Sequence, residues 1–429
     1  MGFLNLGLYA RIAPLINLLQ KKLLILGCLM REYKTNCRYF QGDKPCKFHK
    51  NEGIYCEACS NFSLIEEKIL IIKLAAPGDV LRTTSILLAL KKKYPKSRIV
   101  WVTKKNALDL LNGNPHIDLL LEYPNPAVNR LWIENFDLVI NLDCDFESAS
   151  LAVVAKSPRK LGFGCSEDGR LIPFNKEAEY WLEMSLFDDV KKANQNTYQE
   201  IMLDICGLNA QENSRPVFSL TKEELDFGDN FIKTHGAKPS FLTIGINAGA
   251  GSRWPQKKWK RDSYGELIKC IKGKYSADII LLGGPEEIDL NKYLIEQAPH
   301  EVINAGCRNT YRQFAGIINI CDLIITGDTL ALHLAVALEK RIVALFGPTS
   351  MAEIDLYGQG EKISAEMDCL SCYKNVCDKS LTCMDALTVE KVFAAVESQL
   401  QETEKYKRNK DSCSLGKTRN ILEQAAKWG

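Results

Sequence analysis

The sequence predicts an α/β protein built from two similar halves, and two segments carry that prediction. Residues 68–95 read KILIIKLAAPGDVLRTTSILLALKKKYP, and residues 322–349 read DLIITGDTLALHLAVALEKRIVALFGPT. Each contains an apolar, β-branched run, a turn of small residues with a Gly-Asp pair, and then a helical pattern. In open α/β sheets, ligands bind beyond the carboxyl ends of the strands, where helix N-termini attract phosphate. The two segments therefore predict two βαβ domains facing one cleft.

The composition is that of an ordinary globular protein that can form more than one core. The chain has 429 residues, of which 46% are hydrophobic and 25% are charged, and its net charge is only +2. Lysine and arginine are spread along the chain, so we expect no nucleic-acid partner. The sequence shows no cleavable signal with a small-residue cleavage site, which favours a cytoplasmic location with reduced cysteines.

Residues 1–30 form a separate apolar segment that predicts a helix. Arg11, Pro14 and the pair Lys21–Lys22 interrupt it, so no apolar run reaches the roughly 18 to 20 residues that a spanning helix needs. Two alternatives stay open. The helix lies in the membrane interface, giving peripheral contact with the inner face of the inner membrane, or it docks on the protein's own surface.

Alternating patterns from residue 66 to 215 predict the first βαβ domain. Helices are expected at Thr84–Tyr94, Ala107–Leu111 and Tyr198–Cys206, and a polar, turn-rich segment at 209–216 predicts an interdomain linker. The predicted strands of this domain are Ile69–Leu74, Ile99–Thr103, Leu119–Glu122 and Leu138–Asn141.

The pattern restarts in the second half, which predicts another βαβ domain at 216–398. A capping-box sequence, TKEE, at residues 221–224 marks the start of a helix. Residues 399–429 are charged and predict a mobile or surface tail. The predicted strands of the second domain are Phe241–Ile246, Asp278–Leu282, Asp322–Thr326 and Ile342–Phe346.

Asp79 is the first candidate for chemistry, since it lies in the turn between a strand and a helix. A carboxylate at that place faces the cleft and can act as a general base, while small neighbours let a substrate approach the backbone. Aspartate also caps helices routinely, so a cap of the helix that follows is the alternative.

The segment NAGAGSRWPQKKW at 247–259 follows the first strand of the second domain and predicts a donor-binding loop. Asn247 and Gly249 lie where small residues expose backbone amides, and Lys257 or Lys258 supplies a charge for phosphate. The segment is neither a Walker loop nor a dinucleotide fingerprint, because Trp254 stands where a third glycine is required. A plain surface loop is the alternative.

Two further turns contain candidate donor-binding residues. Asp328 and Thr329 lie at a turn, and His333 follows one helical turn later on the same face, so all three can contact one ligand. A histidine alone would more often belong to the core. Glu286 and Glu287 follow another strand, where a carboxylate can bind a ribose hydroxyl or simply be solvated.

Two groups of cysteines stand out among the sixteen. Cys37, Cys46, Cys56 and Cys59 lie in a short, polar Cys-rich module at 31–65 that cannot form its own core, so a structural zinc or iron ion is expected there. Reduced thiols or a redox role are the alternatives. The group at 369–383 has looser spacing, and it predicts either a second metal site or thiols packed as small hydrophobic side chains.

Taken together, these motifs resemble glycosyltransferase family 9, the family of the ADP-heptose:lipopolysaccharide heptosyltransferases. The resemblance runs from about residue 66 to 398 and includes the Gly-Asp segment at 78–79, the 247–259 loop, GGPEE at 283–287 and GDTLALH at 327–333. Leu330 stands where the family usually has glycine. The resemblance implies a GT-B fold, with two Rossmann-like βαβ domains facing a cleft, preceded here by the N-terminal helix and the Cys-rich module.

The resemblance also implies roles for the candidate residues. Asp79 matches the family's proposed base and Lys257 its phosphate-binding lysine. Glu286 or Glu287 matches its ribose contact. The start of its donor-binding helix corresponds to Asp328, Thr329 and His333. The implied reaction is inverting and needs no catalytic cofactor, with a nucleotide-sugar as donor.

Three hypotheses about function follow. The first is transfer of a heptose from ADP-heptose to a lipopolysaccharide-core or other lipid-linked envelope acceptor. The second makes the acceptor a protein, because some relatives that glycosylate proteins are similar in carrying cysteine-bound iron. The third is a non-catalytic, metal-stabilised scaffold protein.

Overall fold

The computed structural model describes residues 33–74, 76–209, 214–235, 242–251, 254–298 and 302–403. The predicted N-terminal helix and most of the predicted charged tail lie outside the described residues. The chain divides into two compact units, Met1–Glu66 and Glu67–Gly429. In the part of the chain that the structure describes, no helix is both long enough and apolar enough to cross a membrane.

The described part of the first unit is a short module with little regular structure. It contains one helix, α1 (Lys47–Glu52), a 3₁₀ turn and an isolated bridge between Cys37 and Leu64. None of the residues from 33 to 64 is buried. A segment without a core needs another source of stability, which is why the sequence predicts a structural metal ion there.

The second unit begins with a six-stranded sheet that is parallel except at one edge. Its strand order is β3-β2-β1-β4-β5-β6, and only the β5–β6 pair is antiparallel. The strands are β1 (Lys68–Ile72), β2 (Arg98–Lys104), β3 (Leu119–Tyr123), β4 (Leu138–Asn141), β5 (Lys160–Cys165) and β6 (Leu171–Pro173). The helices are α2 (Pro77–Thr83), α3 (Ile86–Lys93), α4 (Lys105–Leu111), α5 (Ala127–Ile133), α6 (Phe146–Val154), α7 (Glu179–Leu186), α8 (Asp188–Ala193) and α9 (Tyr198–Ile205).

A second six-stranded sheet follows, and it is parallel throughout, in the order β12-β11-β10-β7-β8-β9. Its strands are β7 (Leu242–Asn247), β8 (Ala277–Leu282), β9 (Val302–Asn304), β10 (Leu323–Gly327), β11 (Arg341–Phe346) and β12 (Gly360–Ser364). The helices around it are α10 (Lys222–Thr234), α11 (Arg261–Lys274), α12 (Ile288–Gln297), α13 (Tyr311–Ile320), α14 (Leu330–Ala337), α15 (Cys383–Ala386) and a last one, α16, at residues 389–403.

Both sheets have the Rossmann strand order, since β7 to β12 repeat the 3-2-1-4-5-6 order of β1 to β6. The predicted α/β class with two Rossmann-like βαβ halves is therefore confirmed. In each sheet the order reverses between the first and fourth strands, β1 and β4 or β7 and β10. Ligands of such sheets bind beyond the carboxyl ends of the strands at this switch point.

One predicted helix differs from the structure. The sequence predicts a single helix at Thr84–Tyr94, but α2 already begins at Pro77, where proline at the first helical position has no amide to leave unsatisfied. The chain then bends before α3 because the Thr84 hydroxyl donates back to the Leu81 carbonyl oxygen at 2.6 Å. Asp79 is therefore inside the first turn of a helix rather than before one.

The segment that joins the two halves is attached to the first half. The amide of Val217 donates to Thr84 Oγ1 at 2.7 Å, and its carbonyl oxygen accepts from Asn114 Nδ2 at 3.2 Å. The predicted capping box at Thr221 is present and includes Glu224. Glu224 also binds Arg312 of α13 through two bonds of 2.6 Å.

Candidate active site

Asp79 lies at the first turn of α2, directly beyond the carboxyl end of β1. Ala76 is the N-terminal cap residue of this helix and makes no side-chain capping bond, so Asp79 does not serve as the cap. Its side chain keeps about a third of its surface exposed, whereas Arg82, one turn later, keeps 10%. The helix thus presents a carboxylate that a ligand can reach, backed by a buried cation.

The charges around Asp79 keep its carboxylate ionised. Arg82 donates to Asp79 Oδ1 at 2.8 Å. Burial raises the pKa of Asp79, but Arg82, Lys73 and His333 outweigh that effect and lower the pKa below its ordinary value. Lys73 is itself fixed at the end of β1, because its ammonium group binds Asp143 Oδ1 at 2.5 Å. A general base has to be unprotonated, and the cations around Asp79 keep its carboxylate in that state.

The second half contributes the opposite wall through α14. His333 packs against Gly78, and a Cβ atom added at Gly78 would stand 2.7 Å from His333 Cδ2. Only glycine allows α2 and α14 to approach so closely. His333 is buried, and burial together with Arg82 lowers its pKa to about 4. The imidazole is consequently neutral near pH 7.

Lys257 and Asp328 form an ion pair beside His333. Lys257 Nζ donates to Asp328 Oδ2 at 2.6 Å and to the Asp328 carbonyl oxygen at 3.1 Å, and both side chains are mostly buried. Burial raises the pKa of Asp328, but Lys257 and His333 lower it to about 2. These two bonds place the ammonium group of Lys257 at the N-terminus of α14, where phosphate oxygens are attracted.

Asn247 connects the two central strands of the second sheet. Its Nδ2 atom donates to Thr326 Oγ1 and to Thr329 Oγ1, each at 3.2 Å, and to the Gly249 carbonyl oxygen at 3.3 Å. Thr329 is the N-terminal cap residue of α14 but makes no side-chain capping bond. These bonds fix the turn at the carboxyl end of β7 against the start of the donor-side helix.

Glu287 is largely covered by the glycine loops, whose amides it binds. It is buried, and its two oxygens accept from the amides of Gly284 at 2.9 Å and Gly251 at 3.3 Å. A Cβ atom at Gly249 would stand 2.1 Å from Glu287 Cγ, so glycine is required there. Of the two glutamates predicted as ribose contacts, Glu286 is the more exposed one.

These residues surround one cavity of about 340 Å³ in the second half. Its lining includes five of the predicted donor-binding residues, together with Leu330 and the ring-bearing pair Tyr311 and Phe314. The five are Asn247, Gly249, Glu286, Glu287 and Thr329. The other three, Lys257, Asp328 and His333, lie between this cavity and Asp79. The structure therefore brings all nine predicted catalytic and donor residues into one region.

Sequence reasoning missed a set of residues on the other side of Asp79. The Arg82 guanidinium lies 3.7 Å from the centroid of the Tyr198 ring, and the Tyr198 amide donates to the Glu353 carbonyl oxygen at 3.0 Å. Glu353 Oε1 accepts from the Tyr373 hydroxyl at 2.6 Å. Arg82 could have been found, since it stands three residues after Asp79 on a helix. The others meet only through tertiary folding.

The four N-terminal cysteines line a common small cavity of about 30 Å³ within the first unit, together with aromatic side chains that include Tyr39 and Phe48. All four are free thiols. Even so, no three His, Cys, Asp or Glu side chains stand close enough to hold a metal ion anywhere in the described ranges. The cysteines at 369–383 likewise form no group that could hold a metal ion. The donor set is chemically suited to zinc or iron, but its present spacing is not that of a formed site.

Comparison with known proteins agrees with this geometry. The sequence model described as glycosyltransferase family 9 (heptosyltransferase) matches residues 128–382. All eight predicted donor-binding residues lie within that range, and Asp79 precedes it. The chain is also 20% identical over 297 residues to the lipopolysaccharide core heptosyltransferase OpsX of Haemophilus influenzae, covering 66% of this chain and 80% of that protein.

Solved structures share the fold. The glycosyl transferase family 9 protein of Veillonella parvula superposes with a TM-score of 0.65 at 22% identity, covering 79% of this chain and 98% of that one. The dodecameric iron-containing heptosyltransferase TibC of enterotoxigenic E. coli, solved with ADP-D-beta-D-heptose, superposes with a TM-score of 0.52 at 11% identity, covering 80% and 78%. Because the family match spans more than half of the 429 residues, this chain belongs to glycosyltransferase family 9 and is a glycosyltransferase.

Proposed function

We propose that this enzyme transfers a heptose from ADP-heptose to a lipopolysaccharide-core acceptor with inversion at the anomeric carbon. One observation carries the proposal. Asp79, an ionised and partly exposed carboxylate of the first half, is connected to the Lys257–Asp328 pair at the start of α14 through His333, which packs against Gly78 and lies 3.9 Å from Asp328. An acceptor hydroxyl and a diphosphate leaving group would therefore find a base and a cation on opposite sides of the sugar.

The steps follow from this arrangement. Asp79 takes the proton of an acceptor hydroxyl, and the oxygen attacks the anomeric carbon from the face opposite the diphosphate. The bond between the anomeric carbon and the diphosphate oxygen breaks, and the electron pair leaves with the nucleoside diphosphate. Lys257 and the backbone amides at the start of α14 stabilise the charge that develops there. The neutral imidazole of His333 packs beside Asp328 without adding a second cation.

The choice of donor and acceptor has separate support. OpsX is a lipopolysaccharide core heptosyltransferase, and TibC was solved with ADP-D-beta-D-heptose. The 340 Å³ cavity lies entirely in the second half, which suits a nucleoside at 216–398 and leaves the face of residues 66–215 for the acceptor. A lipid-linked acceptor would also suit a cytoplasmic enzyme with peripheral contact at the inner membrane, which is one of the two alternatives for the N-terminal sequence.

Calorimetry tests the donor first. The wild-type protein and the Asp328→Ala variant are titrated with ADP-heptose and, for comparison, with UDP- and GDP-sugars in separate experiments. We expect selective binding of ADP-heptose that is lost in the variant. Equal affinity for all three nucleotides, or none for any, would contradict the proposed donor.

The Asp79→Asn variant tests the base. Removing a positioned general base lowers the rate by about 100-fold or more, whereas the donor contacts of the second half stay intact. We therefore expect ADP-heptose to bind Asp79→Asn as it binds the wild type, while transfer to a lipopolysaccharide-core acceptor falls by at least that factor. An unchanged turnover number would remove Asp79 from the mechanism.

A second candidate acceptor is a protein, which the sequence predicts together with a cysteine-bound metal. TibC contains iron, and the four thiols at Cys37, Cys46, Cys56 and Cys59 converge on one cavity. We infer that a small movement of these loops would let them bind a structural zinc or iron ion. Elemental analysis of protein purified without chelator should then give about one metal per chain. The double variant Cys56→Ser, Cys59→Ser should lose it, and a metal-free wild type would overturn the idea.

A further inference from the structure

The part of the active site that holds the transferred sugar is fixed by the proposed reaction. The anomeric carbon has to lie between the base at Asp79 and the diphosphate site at Lys257 and Asp328. Side chains that border this space and bind hydroxyl groups would then select the sugar. Neither the sequence motifs nor the nucleoside cavity assigns such residues.

A layer of linked contacts extends from Asp79 beside that space. It runs from Asp79 to Arg82 at 2.8 Å, and from Arg82 to the Tyr198 ring at 3.7 Å as a cation–π contact. The Tyr198 amide then donates to the Glu353 carbonyl oxygen, and the carboxylate of the same glutamate accepts from the Tyr373 hydroxyl. Burial raises the pKa of the Tyr373 hydroxyl, and the charges of Glu353 and Asp328 raise it further, so Tyr373 lies within electrostatic range of the Lys257–Asp328 pair.

Tyr373 is held in an unusual conformation at the end of this layer. Its φ angle is +52°, and that of Ser371 is +57°, in the left-handed region that side chains other than glycine rarely adopt. Several bonds enforce the geometry. The Tyr373 amide donates to the Pro348 carbonyl oxygen at 2.8 Å, and its hydroxyl accepts from the Ser350 amide at 3.1 Å. These bonds fix the Tyr373 ring and its hydroxyl in one position.

Neighbours of the Tyr373 ring come from both sides of the active site. Lys191 of α8, in the first half, places its ammonium 3.8 Å from the ring centroid. Trp254, in the donor-binding loop, lies edge-on at 6.3 Å. The ring thus stands where the donor loop, the first half and the 369–377 segment meet.

The chemistry of this group matches a polyhydroxylated ligand. Glu353 is buried and uses Oε1 for Tyr373, yet a carboxylate can accept at both oxygens. Arg82 Nε and the Thr349 hydroxyl are buried and have no hydrogen-bond partner among the described residues. Acceptors and donors therefore stand side by side next to aromatic rings, which is the combination that binds sugar hydroxyls and C–H faces.

We propose that Glu353 is a specificity-determining residue that binds a hydroxyl group of the transferred sugar, and that Tyr373, whose hydroxyl donates to Glu353 and accepts from Ser350, positions that carboxylate. The inference rests on the proposed function, since it needs a sugar between Asp79 and Lys257. It assigns the nucleoside to one set of residues and the sugar to another. Substitutions at Glu353 and Tyr373 should then affect a nucleotide-sugar and leave the bare nucleotide unaffected.

Tyr357 offers a matched control. It too has a φ angle of +52°, donates its hydroxyl to a carbonyl oxygen, that of Ser214, and has a cation near its ring, Arg215 at 4.9 Å. It belongs, however, to the loop that precedes β12 and takes no part in the layer described above. Tyr357→Phe therefore removes a comparable internal bond without touching the sugar space.

The experiment measures dissociation constants for ADP and for ADP-heptose by calorimetry, with thermal unfolding as a check on folding. We expect Tyr373→Phe and Glu353→Gln to weaken ADP-heptose binding by roughly tenfold and to leave ADP binding within about twofold. Tyr357→Phe should change neither constant. Equal weakening of ADP and ADP-heptose, or unchanged ADP-heptose binding, would overturn the inference alone. A wild-type protein that binds neither compound would overturn the proposed function and this inference with it.

Discussion

Arg82 shows how a single side chain sets the state of the proposed base. Burial by itself raises the pKa of Asp79, and the salt bridge with Arg82 is the largest of the effects that reverse it. The arginine is in turn held over the Tyr198 ring. A stacked guanidinium is pre-organised for this contact in a way that a lysine is not.

We predict that Arg82→Gln moves the acidic limb of the pH profile to higher pH. Without the guanidinium, burial raises the pKa of Asp79, so protonation removes the base earlier as the pH falls. The measurement is kcat/KM between about pH 4.5 and 8 for both proteins.

Arg82→Lys is the control for that experiment, because it keeps a positive charge beside Asp79. Its acidic limb should stay closer to that of the wild type, even if the rate drops. Identical acidic limbs in the wild type and in Arg82→Gln would show that the arginine does not govern the base.

His333 leads to a prediction about stability. Its pKa falls from 6.5 to about 4, chiefly through burial and Arg82, with Lys257 acting the same way and Asp328 and Asp79 opposing. Between those pH values the unfolded chain binds a proton that the folded chain does not. This contribution to stability is complete above pH 6.5 and decreases as the pH falls toward 4.

The test compares the free energy of unfolding in urea at several values between pH 4.5 and 7. His333→Gln should lose stability less steeply over this window than the wild type, because glutamine cannot take up a proton. His235→Gln, at an exposed histidine, should keep the wild-type slope. Parallel slopes for His333→Gln and the wild type would contradict the prediction.

At the scale of elements, the contact between α2 and α14 joins the base to the donor side. We predict that Gly78→Ala lowers kcat/KM by on the order of 100-fold, since an added Cβ would stand 2.7 Å from His333 and displace the helix that carries Asp79. Alanine should otherwise favour a helix. Transfer assays and circular dichroism together separate lost geometry from lost folding.

Gly273→Ala in α11 is the control for this substitution. A Cβ atom there would meet nothing within 4 Å, so we expect unchanged transfer and a gain of about 0.5–1 kcal/mol in stability. Wild-type activity in Gly78→Ala would mean that the two helices can separate without cost to the reaction.

Elements also show what the sequence could and could not predict. The buried central strands were found because their apolar, β-branched runs are dictated by burial on both faces. The strands β5, β6, β9 and β12 were not, because fewer of their residues are buried and their sequences lack a continuous apolar, β-branched run. Likewise Asp79 and Asp328 follow strands and could be found, whereas Tyr198, Glu353 and Tyr373 come together only in three dimensions.

Across the whole second unit, Arg312 links segments that are far apart in the sequence. Besides its two bonds to Glu224, it donates to the carbonyl oxygens of Ser219 at 2.6 Å, Asp109 at 3.3 Å and Asn112 at 3.4 Å. One guanidinium therefore holds a helix of the second half, the connecting segment and the end of α4.

We predict that Arg312→Ala lowers the free energy of unfolding by roughly 3 kcal/mol, because it leaves the largely buried Glu224 carboxylate without its partner. Denaturant unfolding measures the effect. Lys292→Ala breaks an exposed pair with Glu296 and should have little effect. A similarly small change in Arg312→Ala would show that the link does not stabilise the fold.

The attachment of Val217 to Thr84 has a consequence for the position of the base. Thr84 lies five residues after Asp79, and its side-chain oxygen accepts from the Val217 amide while its hydroxyl donates to the Leu81 carbonyl oxygen. One hydroxyl group is therefore shared between the end of the helix that carries Asp79 and the chain that leads into the second half. A displacement of Val217 would be transmitted to that helix, so the placement of the carboxylate and that of the connecting chain are not independent.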